Sequence, residues 1–179
     1  MSIAIVLSLA ALAVALVGLA VAFATAARLR TAIESGGLAG MKAPQPQLPT
    51  ADSVIGDFEI ETLDGRTISQ RDLHVDQQLI GFFSVGCAPC SEDLPNFLAL
   101  EDKVVGDLPK PIAVINGEPD EAREYAKAFP DAFAVVIEPD SEAAGTLSAA
   151  VGVKAFPTYL LAEHGRVGMS AVRIKGIAA

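Results

Sequence analysis

The chain has 179 residues, with 13 Lys and Arg against 22 Asp and Glu, a formal net charge of −9 and a sequence pI near 4.6. It therefore lacks the basic footprint of a general nucleic-acid binder. A mean hydropathy of +0.43 with 51% hydrophobic residues excludes a disordered chain, and so high a value in an acidic protein means that apolar residues are concentrated, here at the N-terminus.

Residues 2–27 carry no charge. As a helix rising about 1.5 Å per residue they would extend about 39 Å, more than a hydrocarbon core roughly 30 Å thick, so one tilted transmembrane helix fits. The run is rich in Ala, Leu and Val, with Gly18 its single glycine and no proline, which indicates an anchor without a kink or a paired small-residue dimer motif. A cleavable signal peptide ending at Ala24-Thr25-Ala26 is the rival reading. It is opposed by an n-region without Lys or Arg and by an apolar stretch longer than the roughly 7–15 residues of a secretory signal. Arg28 and Arg30 follow the run, and the positive-inside rule would hold what comes after them in the cytoplasm. Residues 28–50 contain Gly36, Gly37, Gly40, Pro44, Pro46 and Pro49, the composition of a tether. The soluble domain is expected over residues 51–179, with ten basic and 21 acidic residues and a net charge of −11. Such a surface repels anionic headgroups and nucleic acid, or simply keeps the domain soluble.

Within the domain, Phe58 to Ile68 alternates apolar and polar residues around Asp64-Gly65, which predicts a β-hairpin with a tight turn of positive φ. Leu79 to Ser84 is a short apolar run expected to be a buried strand feeding a loop and a helix. In that helix Leu94, Phe97 and Leu98 recur at helical spacing, Glu92, Glu101 and Asp102 are free to face water, and Pro95 is expected to kink the axis. Then come a strand over Ile112 to Ile115, a helix over Pro119 to Phe129, a strand over Phe133 to Ile137 and a helix over Ser141 to Ala150. A strand over Thr158 to Ala162, a turn at Glu163-His164-Gly165 and a last strand over Val167 to Ile174 complete the series. Strands alternating with helices imply an α/β layer fold with some parallel pairing, and no internal repeat is present.

The chain has two cysteines, Cys87 and Cys90, in Ser84-Val-Gly-Cys-Ala-Pro-Cys-Ser-Glu-Asp-Leu-Pro95. Two thiols cannot complete the four-ligand set of a structural zinc site, and His74 and His164 are far off in sequence. Thiol–disulfide exchange needs one thiolate to attack a disulfide and a second thiol to resolve the mixed disulfide, and a Cys-x-x-Cys turn supplies both. At a helix N-terminus the unpaired N–H groups and the positive dipole end favour the thiolate. Cys87 is thus expected to be the exposed nucleophile and Cys90 the more buried resolver, with Pro89 suited to the start of the helix. The alternative is a structural disulfide, for which so short a loop stabilises least.

These residues resemble the thioredoxin-fold thiol:disulfide oxidoreductases tethered to bacterial membranes, of the TlpA-like and cytochrome-c-maturation type. The resemblance runs from roughly Pro49 to Arg173. It rests on Leu63-Asp-Gly-Arg66 in the hairpin, on Phe82-Phe-Ser-Val-Gly-Cys-Ala-Pro-Cys90 followed by Leu94-Pro95, and on Val151-Gly-Val-Lys-Ala-Phe-Pro-Thr158. It implies a thioredoxin-like fold with a central mixed sheet, a cis Pro157 against the cysteines, and Phe156, Gly86 and Ala88 at the substrate. The N-terminal region resembles, more diffusely, the methylamine-utilisation branch of these redoxins, which implies an extracytoplasmic domain on a single-pass membrane anchor, against the charge rule.

Three departures stand out. Gly86 replaces the family's aromatic residue before the first cysteine, Gly81 replaces the buried acid of thioredoxins, and the acid of the membrane-tethered relatives is Asp93. Asp93 or Glu92 is a candidate for managing the proton of the resolving thiol, since a partly desolvated carboxyl can have a raised pKa; solvated surface acids are the alternative. The helix that closes a thioredoxin sheet is expected to be missing or replaced. The implied function is disulfide exchange with exported proteins, more as reductase than as oxidase. Its partners are protein disulfides, a membrane electron-donor protein and the bilayer through residues 2–27, with no nucleic acid and no cofactor beyond the Cys87–Cys90 pair. A peroxiredoxin would need Pro and Thr where Ile80 and Ser84 stand. A copper-delivery module of the same fold would need a histidine beside the cysteines, and His74 and His164 are the candidates.

Overall fold

The first strand pair is β1 (Glu59–Glu61) with β2 (Thr67–Ser69), antiparallel, with Glu59 opposite Ser69. In the computed structural model, which describes residues 18–19, 46–100, 109–139 and 141–177, their connection is wider than the tight turn expected at Asp64-Gly65. Gly65 has a φ of 79°, whereas Asp64 does not enter the positive-φ region. The reason is Thr62, whose Oγ1 accepts from the Arg66 N–H at 3.0 Å and donates to the Asp64 carboxylate, closing a five-residue loop.

Five further strands form one mixed sheet: β3 (Gln78–Ser84), β4 (Ile112–Asn116), β5 (Ala134–Glu138), β6 (Thr158–Glu163) and β7 (Arg166–Ala171), in the order β5-β4-β3-β6-β7. β3, β4 and β5 run parallel, β6 pairs antiparallel with β3, and β7 antiparallel with β6. The inner strands are apolar on both sides because both faces are covered. Ile80, Phe82, Ile112 and Val114 point to a layer containing Leu147 and Val151 together with Phe58, Ile68 and Leu73 of the hairpin region. Phe83, Ala113 and Ile115 point to the opposite layer, which holds Cys90, Phe97, Ala122, Phe129 and Tyr159.

Among the described residues three helices cross these faces: α1 (Ala88–Leu98), α2 (Pro119–Ala126) and α3 (Leu147–Val151). Pro95 lies inside α1 without ending it. α2 stops three residues before the expected Phe129, because Lys127, Ala128 and Phe129 donate to carbonyls three residues back and tighten the chain ahead of Pro130. α3 is half the expected length. Gly145 bends the chain at a φ of 86°, and Thr146 then caps the helix by accepting the Ala149 N–H at 3.1 Å. The last strand ends at Ala171, and a single 3₁₀ turn, Ile174–Gly176, packs Ile174 into the layer under α1.

The compact unit begins at Pro46. Of the expected anchor, only Gly18 and Leu19 fall among the described residues, both helical; the rest of residues 2–27, the tether to residue 45, and Glu101 and Asp102 lie outside them. Among the described residues no helix is long and apolar enough to cross a membrane.

Candidate functional site

β3 delivers the chain to the cysteines. At its end the Val85 N–H donates to the Asn116 carbonyl at 2.9 Å, extending the β3–β4 ladder by one residue. Gly117 makes this close approach possible, since a Cβ there would lie 2.8 Å from Val85 Cγ2. Gly86 turns the chain with a φ of 74°, and Cys87 caps α1, its Sγ accepting the Cys90 N–H at 3.2 Å. Cys87 and Cys90 form a disulfide with their Cα atoms 5.3 Å apart. Cys87 is half-buried and Cys90 fully buried, while Ala88 and Pro89 are exposed in the first helical turn, where the missing N–H of proline leaves no bond unmade.

The second wall is the loop before β6. The Phe156–Pro157 bond is cis, and the Phe156 carbonyl lies 3.7 Å from Cys87 Sγ. Pro157 is buried and Phe156 half-buried, and Thr158 Oγ1 donates to the Ala155 carbonyl at 2.7 Å, closing the loop on itself. Cys87, Cys90, Pro89, Gly86, Ala88, Phe156 and Pro157 thus all belong to the same end of the sheet, the end at which β3 finishes and β6 begins.

The acids divide. Glu92 is exposed on α1. Asp93 is buried, and its carboxylate accepts from the Ile174 N–H and from Asn96 Nδ2, each at 2.9 Å. Burial pushes its pKa up, but these hydrogen bonds, with the nearby Tyr159 hydroxyl and Arg173, outweigh burial and hold it below the ordinary carboxylate value. The shift is opposite to the raised value considered from sequence. At Gly81 a Cβ would lie 2.9 Å from both Phe83 Cε2 and Phe97 Cζ, so aromatic rings fill the space where thioredoxins carry their buried acid.

His74 and His164 lie at the other end of the sheet. The His164 N–H donates to Val75, the His74 ring packs against Gly165, and the length of β3, roughly 20 Å, separates them from the cysteines. They cannot complete a Cys-Cys-His copper set. Among the described residues no group of three or more His, Cys, Asp or Glu is placed to hold a metal ion.

A buried polar cluster beside the site has only a faint signal in the sequence. Glu138 accepts from the Leu147 N–H at 2.6 Å and the Ser148 N–H at 3.2 Å, and Ser148 Oγ lies 3.3 Å from Asn116 Nδ2. Desolvation pushes the Glu138 pKa up against the pull of these bonds. The signal available was an Asn and a Glu closing the apolar runs Ile112–Asn116 and Ala134–Glu138.

No family model and no curated protein matches the chain. Solved structures do. They include the pneumococcal exposed lipoprotein thioredoxin Etrx1 of Streptococcus pneumoniae, 20% identical with a TM-score of 0.54 over 69% of this chain and 96% of that one. The domain has a thioredoxin-like fold. A thioredoxin domain of a thiol-disulfide oxidoreductase from Bacteroides vulgatus is 16% identical with a TM-score of 0.56, covering 69% and 89% of the two chains. A thiol:disulfide interchange protein from Chlorobium tepidum is 20% identical with a TM-score of 0.51, covering 69% and 87%. In this thioredoxin-like domain the cysteine pair sits at the N-terminus of α1 with the cis-proline loop against Cys87.

Proposed function

We propose that the chain is a thiol:disulfide oxidoreductase, anchored to the cell membrane through residues 2–27, that reduces disulfides of exported proteins. The observation that carries the reading is the asymmetry of the pair. Cys87 is accessible and caps a helix whose N–H groups favour its thiolate, and Cys90 is buried one turn away. In the reductive direction the Cys87 thiolate attacks a substrate disulfide, forming a mixed disulfide and releasing one substrate thiolate. That thiolate takes up the Cys90 proton. The Cys90 thiolate then attacks Cys87 Sγ, the mixed disulfide breaks, and the second substrate sulfur leaves as the pair closes. Beside Cys87, the backbone of Phe156 ahead of cis Pro157 is suited to pair with the substrate chain, with Gly86 and Ala88 forming the exposed rim.

The same residues run the reaction backwards as an oxidase, because direction follows the reduction potential of the pair relative to its partners. A reductase requires re-reduction by a membrane electron-donor protein, and the Cys87–Cys90 pair itself is the only redox group the scheme uses. The extracytoplasmic placement rests on the likeness to tethered redoxins and is opposed by Arg28 and Arg30.

Full-length protein with Cys90→Ser should accumulate mixed disulfides through Cys87, and adding Cys87→Ser should abolish them. An impermeant thiol reagent should label the reduced pair in intact cells. Absence of trapped partners together with failure of the reduced wild type to exchange with glutathione would overturn the reading; labelling only after lysis would place the domain in the cytoplasm.

A further inference from the structure

Cys87 and Phe156 form the two walls of the site although 69 residues separate them in the chain. In the exchange proposed above, on which this inference rests, a substrate chain lies between Cys87 Sγ and the backbone of Phe156. The spacing of the walls then governs how the reacting sulfurs line up. The approach of the Phe156 carbonyl to Cys87 Sγ at 3.7 Å does not fix that spacing, because a disulfide sulfur has no proton to donate.

Asn116, at the end of β4, reaches both walls. Its carbonyl accepts from the Val85 N–H at 2.9 Å and its Nδ2 donates to the Phe83 carbonyl at 3.4 Å, so it holds the chain just ahead of Gly86 and Cys87. The same Nδ2 donates to Ser148 Oγ at 3.3 Å. Ser148 is fully buried in α3, and its carbonyl accepts the N–H groups of Gly152 and Val153, each at 3.0 Å, turning the chain out of the helix toward Phe156 and Pro157. Asn116 is only 5% exposed, and a buried amide is unfavourable unless its groups are bonded; here both Nδ2 hydrogens are used, one toward each wall. The other contacts that hold α3 do not do this. Glu138 pins its first N–H groups to β5, and the Gly56 N–H donates to the Ala150 carbonyl at 2.9 Å, but neither reaches the strand that leads to Cys87.

We propose that Asn116 is a positioning residue for the exchange, acting with Ser148 as a tie that sets the distance between Cys87 and the Phe156–Pro157 loop. It acts through Val85 and Ser148 rather than on the sulfurs. Its carbonyl fixes where the chain enters the turn to Cys87, and its amide fixes where the loop leaves α3. A small disulfide needs only Cys87, whereas a polypeptide seated against Phe156 needs both walls at once. The tie therefore favours disulfides carried on an extended chain, because only these gain binding from the set spacing.

The test compares Asn116→Ala, Ser148→Ala and the double variant with wild type, as full-length protein in detergent. Each reduced protein is reacted with a peptide that carries a disulfide within an extended chain, and with bis(2-hydroxyethyl) disulfide, which has no backbone to pair with Phe156. The peptide rate should fall about tenfold in each single variant and no further in the double, while the small-disulfide rate changes by less than about twofold. Merely structural side chains would slow both disulfides alike or neither. Amide hydrogen exchange of the oxidised proteins reads the tie without any activity. The Val153 N–H should exchange about fivefold faster in Asn116→Ala, and the Val85 N–H about fivefold faster in Ser148→Ala. Should Asn116→Ala not fold, Ser148→Ala decides both comparisons, since it removes one hydroxyl and leaves the backbone carbonyl in place. An unchanged peptide rate, equal losses with the two disulfides, additive losses in the double variant, or unchanged amide exchange on the opposite wall would overturn the proposal. Failure of the wild type to react with either disulfide would instead overturn the exchange reading, and amide exchange would still decide whether Asn116 ties the walls.

Discussion

Two glycines define what β3 and the turn after it can carry. Gly86 occupies the left-handed region, where a side chain costs about 1–2 kcal/mol, so the chain bends sharply just before Cys87. Gly81 is required by space, because two phenyl rings meet above it. Neither reason could be read from the sequence, which showed only that side chains were missing. Asp93 was visible as an acid at a suggestive spacing, but its anchor, the Ile174 N–H, lies 81 residues away. Since folding depresses its pKa, it contributes stability that is present above the unfolded value, near 3.9, and lost as pH falls through the lower folded value. Asp93→Asn removes that contribution. The gap in denaturant midpoint between wild type and Asp93→Asn should therefore be widest near neutral pH and narrow on acidification below about pH 4. A gap independent of pH would mean that the carboxylate charge takes no part in holding the 3₁₀ turn to α1.

α3 shows the opposite electrostatic sign. Its first two N–H groups are accepted by Glu138, and its C-terminus leads through Gly152, at a φ of 79°, into the cis-proline loop, so the carboxyl helps to hold one wall of the site. Glu138→Ala leaves two buried donors unpaired, at a cost of about 2–4 kcal/mol. Because desolvation raises the folded pKa, the contribution of Glu138 is present below the ordinary glutamate value and declines as pH rises through the raised one. Urea titrations of wild type and Glu138→Ala should therefore converge with rising pH, whereas the Asp93→Asn pair converges with falling pH. Helices of this kind are the least legible elements. The sequence pattern located α3, yet Gly145 and the Thr146 cap moved its start from Ser141 to Leu147. The inner strands are legible because an apolar run of five to seven residues bounded by turns has few other ways to be buried.

At the scale of the whole domain, the order of elements and the α/β character followed from local pattern, and the cysteine pair at the head of α1 from strand–loop–helix spacing. Edge protection did not, because it depends on pairings between distant segments. The β5 edge is covered by the hairpin loop, where the Leu63 N–H donates to Val135 at 2.8 Å and Thr62 bridges Val136. The β7 edge is covered by the first residues of the compact unit, which begins at Pro46. The Asp52 N–H donates to Val167 at 2.7 Å, the Val167 N–H to Ser53 at 2.9 Å, Ser170 Oγ to Pro49 at 2.9 Å, and Val54 bridges Arg166. Residues 46–53 therefore belong to the fold, although their Pro-containing composition marked most of them as linker. An open edge presents unpaired N–H and C=O groups to a second chain, and here it would do so close to the exposed Met169 and Val172. Soluble chains beginning at Pro46 and at Val54 provide the comparison. The longer one should keep the β7 edge covered and sediment as a single species. The shorter one, having lost at least three hydrogen bonds to β7, should be less stable by about 2–4 kcal/mol and should self-associate with rising concentration. Equal stability and sedimentation of the two chains would show that the 46–53 segment only rests on the sheet.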